Sequence, residues 1–269
     1  MTSPLPVDLV GPGFAVVQAD IGRAGRVGVL IDTGNFAPYP VLVTPQLAAR
    51  LGLRAARPAR CLNASLGSGR VCFTPVSFRF RLAGLGGRRL QGAISSQVGQ
   101  IAAHLGGRFQ AVIGGDFLRS HRLTIDYRHR RVIFDGPVPG DPGTIFEPLP
   151  APAIVTAAVV NGAGPFRFLL DTAAADTIAT PAVAGRARMA AGASTELYGV
   201  GGSIPGAVSP GNRLCSASRC RSGITVKIAR LPQRIALIGT SVDGVLGLAF
   251  LASGKLTIDY PTHRFWLDN

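Results

Sequence analysis

A five-residue segment, Leu-Thr-Ile-Asp-Tyr, occurs twice in this chain of 269 residues, at positions 123–127 and 256–260. The similarity extends upstream, because both copies follow a Gly, a Phe-Leu pair and a Ser at matching positions. An apolar run ending in Asp-Thr and a very small residue lies 82 residues before Gly114 in the first copy and 76 before Gly247 in the second. A unit that recurs in the same order indicates a tandem duplication.

The first copy predicts a succession of short β-elements. β-rich runs flank a Gly-bounded turn at 22–25 and lead to Asp32. The segment 44–52 predicts one short helix, because it has a Thr that can cap the helix, a Pro at the first helical position and a closing Gly. The polar, Gly-rich stretch 61–72 predicts an exposed hairpin. Residue Asp116 is expected to cap a second short helix.

The second copy repeats this plan. β-rich runs flank the turn 161–164 and lead to Asp171, Thr180 opens the equivalent helix, and residues 197–203 form the equivalent Gly-rich hairpin. Between the copies, residues 135–152 are rich in Gly and Pro and are typical of a linker. We therefore expect two lobes of similar plan.

Composition supports an all-β fold, mostly β with a few short helices. The 35 Gly and 20 Pro residues are scattered at turn-like positions, which favours many short strands, and the hydrophobic content of 47% excludes a disordered chain. The expected domains are an N-terminal lobe of residues 1–140 and a C-terminal lobe of residues 141–269. No run approaches 18 consecutive apolar residues, so no transmembrane segment is predicted.

The formal net charge is +14, and 26 of the 28 basic residues are arginines. The arginines are spread over the whole chain and are not clustered with aromatic residues on one segment. This pattern disfavours a specific nucleic-acid site. Attraction to anionic surfaces or to acidic substrates is the expected consequence.

The four cysteines fall into one pair in each half, Cys61 with Cys72 and Cys215 with Cys220. The spacing favours two local disulfides over free thiols, and a zinc site is the third alternative because no Cys-x-x-Cys is present. Disulfides favour a periplasmic or secreted protein. The absence of a visible signal peptide favours a cytoplasmic one, and both localisations stay open.

Asp32 and Asp171 each end a run that predicts a buried strand. A charge at such a place is costly unless it is paired, hydrogen-bonded or partly protonated. Two equivalent carboxylates in one chain suggest a shared site in which each perturbs the other. The alternative is a turn or cap aspartate, and it is the favoured interpretation for the repeated Asp126 and Asp259.

These residues resemble the aspartic peptidases of the pepsin and retropepsin type. The hallmark of that family is an apolar strand ending in Asp-Thr/Ser-Gly, followed later by two hydrophobic residues and a Gly. The hallmark occurs here at 32–34 with 112–114, and at 171–173 with 245–247. The sequences around Gly114 and after it look like the bacterial retropepsin-like branch, with two halves fused in one chain.

The resemblance implies a bilobed acid-protease fold with two β-barrel lobes related by a pseudo-twofold axis. It also implies an aspartic endopeptidase in which Asp32 and Asp171 form a catalytic dyad around one water, without metal or cofactor. Thr33, Thr172 and Gly34, with Ala173, would support the dyad.

The resemblance further implies that the two Gly-rich hairpins are flaps over an extended polypeptide substrate. The flap and substrate-binding residues expected from it are Ser65, Gly67, Tyr198, Gly199, Val200 and Gly201. Because both halves are in one polypeptide, the chain is expected to act as a monomer, an internal pseudo-dimer.

Ala173 departs from the family pattern, which has Gly at this position. A methyl group there can crowd the dyad, and this motivates a second hypothesis, a catalytically impaired peptide-binding or scaffolding protein that keeps the bilobed fold. A third is a basic surface-binding protein with a vestigial cleft. Cleavage of an unfolded protein by the wild type, but not by Asp32 or Asp171 variants, distinguishes the first hypothesis from these two.

Overall fold

The computed structural model describes residues 3–55, 57–63, 69–232 and 235–268. The described strands of the first half are β1 (Leu5–Pro6), β2 (Asp8–Val10), β3 (Phe14–Ile21), β4 (Arg26–Ile31), β5 (Val41–Val43), β6 (Arg60–Asn63), β7 (Arg70–Leu82), β8 (Gly87–Ile94), β9 (Ala111–Ile113), β10 (Arg122–Asp126) and β11 (Arg131–Phe134). Its helices are α1 (Pro45–Leu51), α2 (Ser96–His104) and α3 (Gly115–Leu118), with a 3-10 turn at Gly22–Ala24.

The described strands of the second half are β12 (Thr144–Ile145), β13 (Val155–Val160), β14 (Ala163–Leu170), β15 (Thr177–Ala179), β16 (Ser194–Gly199), β17 (Gly202–Ser216), β18 (Arg219–Ala229), β19 (Gly244–Leu246), β20 (Lys255–Asp259) and β21 (Arg264–Asp268). Its helices are α4 (Pro181–Arg186) and α5 (Leu248–Leu251). Of the helices that the structure describes, none is long and apolar enough to span a bilayer.

Each half builds a sheet of its own. Within the described residues, the first sheet has the strand order β2-β3-β4-β9-β5-β8-β7-β6 and the second has the order β13-β14-β19-β15-β18-β17-β16. Both contain the same central arrangement, in which the strand ending at the predicted dyad aspartate lies parallel to a short apolar strand. The predicted all-β, bilobed fold class is confirmed, whereas the boundary at residue 140 stays a prediction.

A third sheet, of order β1-β11-β10-β20-β21-β12, joins the two halves. Its central strands β10 and β20 carry the repeated Leu-Thr-Ile-Asp sequence and pair antiparallel, with Thr124 directly opposite Thr257. Their hydroxyl oxygens are 3.0 Å apart. Because these two threonines are equivalent residues of the duplication, a local pseudo-twofold axis passes between them.

The helix that the sequence predicts at 44–52 is confirmed. The Thr44 hydroxyl accepts a hydrogen bond from the backbone N–H of Leu47 at 3.1 Å, and Gly52 closes the helix with a left-handed backbone, φ 64°. In the second half Thr180 caps α4 in the same way, through the N–H of Val183 at 3.5 Å. Equivalent sequence signals therefore produce equivalent helices on both sides of the axis.

Two elements of the first half were not predicted, strand β8 and helix α2. The start of β8 is polar, and its second pairing, parallel to β5 with Leu42 opposite Ala93, joins distant segments of the chain. Helix α2 has a readable signal, because Ser95 caps it and Val98, Ile101 and Ala102 lie at helical spacing. The second half has no described helix at the equivalent place, so the repeat gave no guide to it.

The two predicted disulfides are confirmed, Cys61 with Cys72 and Cys215 with Cys220. The first joins directly opposed residues of β6 and β7, at the base of the first Gly-rich hairpin. The second joins β17 and β18 near their connecting turn. Among the described residues, the hairpin of β16 and β17 therefore has no disulfide at the place equivalent to Cys61–Cys72.

Candidate active site

Two parallel strand pairs position the aspartates that the sequence predicts as a dyad. Asp32 follows β4, and its backbone N–H donates to the carbonyl of Ile113 in β9 at 3.0 Å. Asp171 follows β14, and its N–H donates to the carbonyl of Leu246 in β19, also at 3.0 Å. The apolar strands are buried at these ends, so each aspartate is held at the edge of the core by the same backbone bond.

The residue two positions after each aspartate fixes its carboxylate. The backbone N–H of Gly34 donates to Oδ1 of Asp32 at 3.0 Å, and that of Ala173 donates to Oδ1 of Asp171 at 2.8 Å. Such local bonds from aspartate to the backbone favour a tight turn. The two loops therefore present their carboxylates in equivalent orientations.

Gly34 brings the two carboxyl groups together. Its N–H binds Asp32, and a Cβ built on its α-carbon would lie 2.3 Å from both Cγ and Oδ2 of Asp171. The carboxyl of Asp171 therefore packs directly on the backbone of the opposite loop. Only a residue without a side chain leaves room for this approach, so both carboxyls meet at Gly34.

Two threonines lock the loops together across the axis. The Thr33 N–H donates to the Thr172 hydroxyl at 3.1 Å, and the Thr172 N–H donates to the Thr33 hydroxyl at 3.0 Å. Each hydroxyl then donates to the opposite strand, Thr33 to the carbonyl of Leu170 at 3.1 Å and Thr172 to that of Ile31 at 2.9 Å. Both threonines are fully buried, so this four-bond network fixes the separation of the aspartates.

The site favours protonation of its carboxyls. Burial raises the pKa of Asp32 well above its ordinary value, and the nearby charge of Asp171 raises it further, against the N–H bonds from Gly34 and Asn35. Burial likewise raises the pKa of Asp171 to about 6. Two interacting carboxyls of this kind hold a proton between them and titrate as a pair.

Two buried tyrosines lie in the electrostatic range of the dyad, and sequence reasoning missed them. Tyr127 and Tyr260 are the last residues of the repeated segment, and neither hydroxyl has a hydrogen-bond partner among the described residues. Burial raises the pKa of both, and the charge of Asp171 raises it further in each case. Their place at the end of an identical repeat was the available signal.

The two Gly-rich hairpins reach toward each other. The first is formed by β6 and β7 and the second by β16 and β17. The N–H of Gly69 in the first donates to the carbonyl of Gly201 in the second at 2.9 Å. Gly199 and Val200 lie beside Gly201 at the second tip.

Among the predicted flap residues that the structure describes, Tyr198 has a partner other than the dyad. Ser65 and Gly67 lie outside the described residues. Tyr198 is 80% exposed, and its hydroxyl donates to Oε2 of Glu196 at 3.0 Å rather than to either dyad aspartate. The structure therefore brings together the predicted dyad and its supporting residues, but not this tyrosine.

The other repeated aspartates have structural partners. Asp259 is buried and binds Arg122 across the axis at 2.8 Å, and Asp126 accepts hydrogen bonds from His129 and Arg131. The prediction that Asp116 caps a helix is wrong, because α3 begins one residue earlier and its capping position is Gly114, which has no side chain. The structure holds no group of three or more His, Cys, Asp or Glu side chains suited to a metal ion in the ranges that it describes.

Comparison with known proteins gives one finding that bears on this site. Residues 155–250 match the family model described as aspartyl protease. The matched range contains Asp171 and its loop, together with β19. No curated protein matches the chain. The family match supports an aspartyl protease family for this chain through its second half.

Proposed function

We propose that this chain is an aspartic endopeptidase of the pepsin or retropepsin type, with Asp32 and Asp171 as its catalytic dyad. The observation that carries the proposal is the contact of both carboxyls with Gly34, one by a hydrogen bond and one by direct packing. The threonine network and the raised pKa values add to it. A single chain supplies both halves of the site, so we expect a monomer.

The proposed reaction uses one proton shared by the dyad. The ionised carboxyl accepts a proton from a water molecule as that water attacks the peptide carbonyl carbon. The protonated carboxyl donates its proton to the carbonyl oxygen, which gives a neutral tetrahedral diol. In the collapse of the diol the C–N bond breaks, the protonated carboxyl donates its proton to the leaving amine nitrogen, and the ionised carboxyl accepts a proton from one diol hydroxyl as the new carbonyl forms. The pair then returns to its singly protonated state.

The hairpins suggest the form of the substrate. An extended polypeptide can bind between the flaps and the dyad through main-chain hydrogen bonds, as strands do in a sheet. The hydrogen bond from Gly69 to Gly201 joins the two hairpins, so entry of a peptide between the hairpins and the dyad requires this contact to break. The residues predicted to line this path include Val200, which is 36% exposed.

The test is hydrolysis of a reduced, unfolded protein at several pH values. We expect cleavage to rise as the pH rises through about 6, because the pair then loses its first proton. Asp32→Asn and Asp171→Asn should each lower kcat/KM by roughly 10³-fold or more. Asp8→Asn, which changes an exposed aspartate of β2, is the matched control and should retain wild-type activity.

Two results would reject the proposal. One is a wild-type protein that is inert over the whole pH range although it is folded. The other is cleavage that survives in both dyad variants. If the inert protein still binds extended peptides, the impaired peptide-binding hypothesis replaces the peptidase.

A further inference from the structure

A groove of about 330 Å³ lies against the β7–β8 hairpin, and it contains none of the dyad residues. This volume is within the range of ligand-binding sites. Its walls combine guanidinium, amide, hydroxyl and proline groups, which come from Arg57, Arg60, Gln91, Ser77, Pro58 and Pro75. It is therefore a mixed surface, with charged groups for an anion and rigid apolar groups for packing.

Two arginines give the groove its charge. Arg57 and Arg60 are exposed, and among the residues that the structure describes neither has a carboxylate oxygen within 4.0 Å. The whole chain has 28 basic and 14 acidic side chains, so the carboxylates cannot pair one to one with all of the basic groups. A guanidinium group binds a carboxylate through two parallel N–H bonds, so both side chains are available to a carboxylate ligand.

The positive charge continues along the same side of the hairpin. Ser77 lies opposite Gln91, and the next pair on that face is Arg79 opposite Arg89, about 7 Å further along the strand. Both arginines are exposed, and neither has a carboxylate partner within the described ranges. Like charges directly opposite one another destabilise a sheet, and a bound anion would remove that repulsion.

We propose that the groove and the adjoining pair Arg79 and Arg89 bind an acidic segment of a polypeptide. The expected ligand is an extended peptide with carboxylates spaced to meet two basic points, the Arg57–Arg60 wall and the Arg79–Arg89 pair. Pro58 and Pro75 supply rigid surfaces against which the peptide chain packs. The charge of the ligand complements the +14 charge of the chain.

A polypeptide fits this surface better than a nucleic acid does. Binding of single-stranded nucleic acid uses exposed aromatic rings on which bases stack. The only aromatic residue that lines the groove in the described part of the chain is Tyr39, whose ring packs on Phe73 with centroids 5.8 Å apart. Tyr39 is half-buried, so its ring is engaged in the fold.

The position of the groove links it to substrate capture. Arg60 pairs with Phe73 at the base of the first flap hairpin, one residue before the Cys61–Cys72 disulfide. An acidic segment held there lies on the flap that we propose for the peptidase. This link rests on the proposed function, whereas binding of the acidic peptide itself does not.

The test is direct binding, measured by fluorescence anisotropy, so that it needs no catalysis. The full-length Asp32→Asn chain is titrated with a labelled ten-residue peptide that contains four Glu, and with the same peptide carrying Gln instead. We expect the Glu peptide to bind at least tenfold more tightly. Replacing Arg57 and Arg60 together with Gln should weaken binding of the Glu peptide roughly tenfold or more, which is 1.4 kcal/mol.

The matched control is Arg88→Gln. Arg88 is an exposed arginine of the same strand as Arg89, but it pairs with buried Phe80 and so lies on the opposite face. This variant should bind the Glu peptide within twofold of the parent. Thermal unfolding of every variant checks that each is folded.

Three outcomes would overturn the proposal. The first is equal affinity for the Glu and Gln peptides. The second is an equal loss of affinity from Arg88→Gln and from the double replacement of Arg57 and Arg60. The third is tighter binding of a single-stranded oligonucleotide than of the Glu peptide, if that binding also depends on Arg57 and Arg60. If the proposal holds but the peptidase fails its own test, the Glu peptide still binds and no cleavage is seen.

Discussion

Near the pseudo-twofold axis, the first and second halves of the chain place equivalent residues in equivalent bonds. Thr33 and Thr172 exchange hydrogen bonds of 3.1 and 3.0 Å, and each hydroxyl donates to a carbonyl of the opposite half at 2.9–3.1 Å. The backbone N–H groups of Asp32 and Asp171 make matching bonds at 3.0 Å. The threonine bonds keep the symmetry because each ends on the opposite half, so a change on either side would leave a buried polar group unpaired.

Away from the axis the halves differ. The first half has three more residues between its aspartate and the next strand, and in the described part of the chain it alone has a nine-residue helix, α2. Its disulfide lies in the flap hairpin, whereas that of the second half lies near the turn between β17 and β18. None of these differences alters the four hydrogen bonds of Thr33 and Thr172, so the halves differ where no reciprocal bond joins them.

Gly34 and its equivalent, Ala173, lie beside the axis, but they differ because only Ala173 has a side chain. Asp171 occupies space above Gly34 that a side chain at 34 would fill, since the Cβ would be 2.3 Å from its carboxyl. Ala173 has such a Cβ, and real Cβ atoms do not tolerate contacts below 3.0 Å. Asp32 therefore cannot approach residue 173 as closely as Asp171 approaches Gly34, and the dyad is unequal.

Exchanging the two small residues should give the largest effect. Gly34→Ala forces the carboxyl of Asp171 away from the axis, and displacements of this size cost about 10²-fold or more in kcat/KM. Ala173→Gly removes a methyl group and should keep the wild-type rate or exceed it. Peptide hydrolysis by both variants, with unfolding curves to check the fold, measures the difference.

Equal losses from Gly34→Ala and Ala173→Gly would show that the inequality of the dyad is not functional. Wild-type activity in Gly34→Ala would contradict the packing of Asp171 against residue 34. The comparison does not depend on which carboxyl is protonated, because it tests space rather than charge.

The sheet that joins the halves offers a second unequal pair. Arg122 and Lys255 are equivalent residues, but Arg122 binds the buried Asp259 while Lys255 binds the partly exposed Asp268. Arg122→Met leaves a buried carboxylate without its partner and should destabilise the protein by about 3–5 kcal/mol. Lys255→Met should cost about 0–1 kcal/mol. Urea unfolding at neutral pH measures the free energy of unfolding of both variants. Equal losses in the two variants would contradict the different roles of Arg122 and Lys255.

The internal duplication made a large part of this structure predictable from the sequence. The duplicated Asp-Thr segments and the duplicated Leu-Thr-Ile-Asp-Tyr segments sufficed for the lobes and the candidate dyad, because equivalent residues of a duplication meet at an axis. The capped helices α1 and α4 followed from local signals, a Thr followed by a Pro. Local chemistry and repetition thus agree on the same fold.

What could not be predicted depends on contacts between distant segments. The packing of Asp171 on Gly34 joins residues 137 positions apart, and no local pattern encodes it. The groove joins the loop at Arg57 to the face of the β7–β8 hairpin. Asp116 does not cap α3 because the extended residue before the helix is Gly114, which places Asp116 inside the first turn.

A further expected effect is on the pH dependence of folding, and it compares the dyad with Asp126. Burial raises the folded-state pKa of Asp171 from 3.8 to about 6, so the folded protein retains protons that the unfolded chain has released. The stability that the dyad contributes is full below about pH 4 and is lost as the pH rises through about 6. Asp171→Asn should therefore match the wild type at pH 4 and exceed its stability at pH 8, by up to about 3 kcal/mol.

Asp126 should behave in the opposite sense. Burial raises its pKa, but the hydrogen bonds from His129 and Arg131 outweigh burial and lower the pKa overall. The stability it contributes is present above the ordinary pKa and is lost as the pH falls, so Asp126→Asn should lose stability at pH 8 and little at pH 3. Urea unfolding across this range measures both differences from the wild type. Differences of the same sign would contradict the raised pKa of the dyad and the opposite contributions that we assign to Asp171 and Asp126.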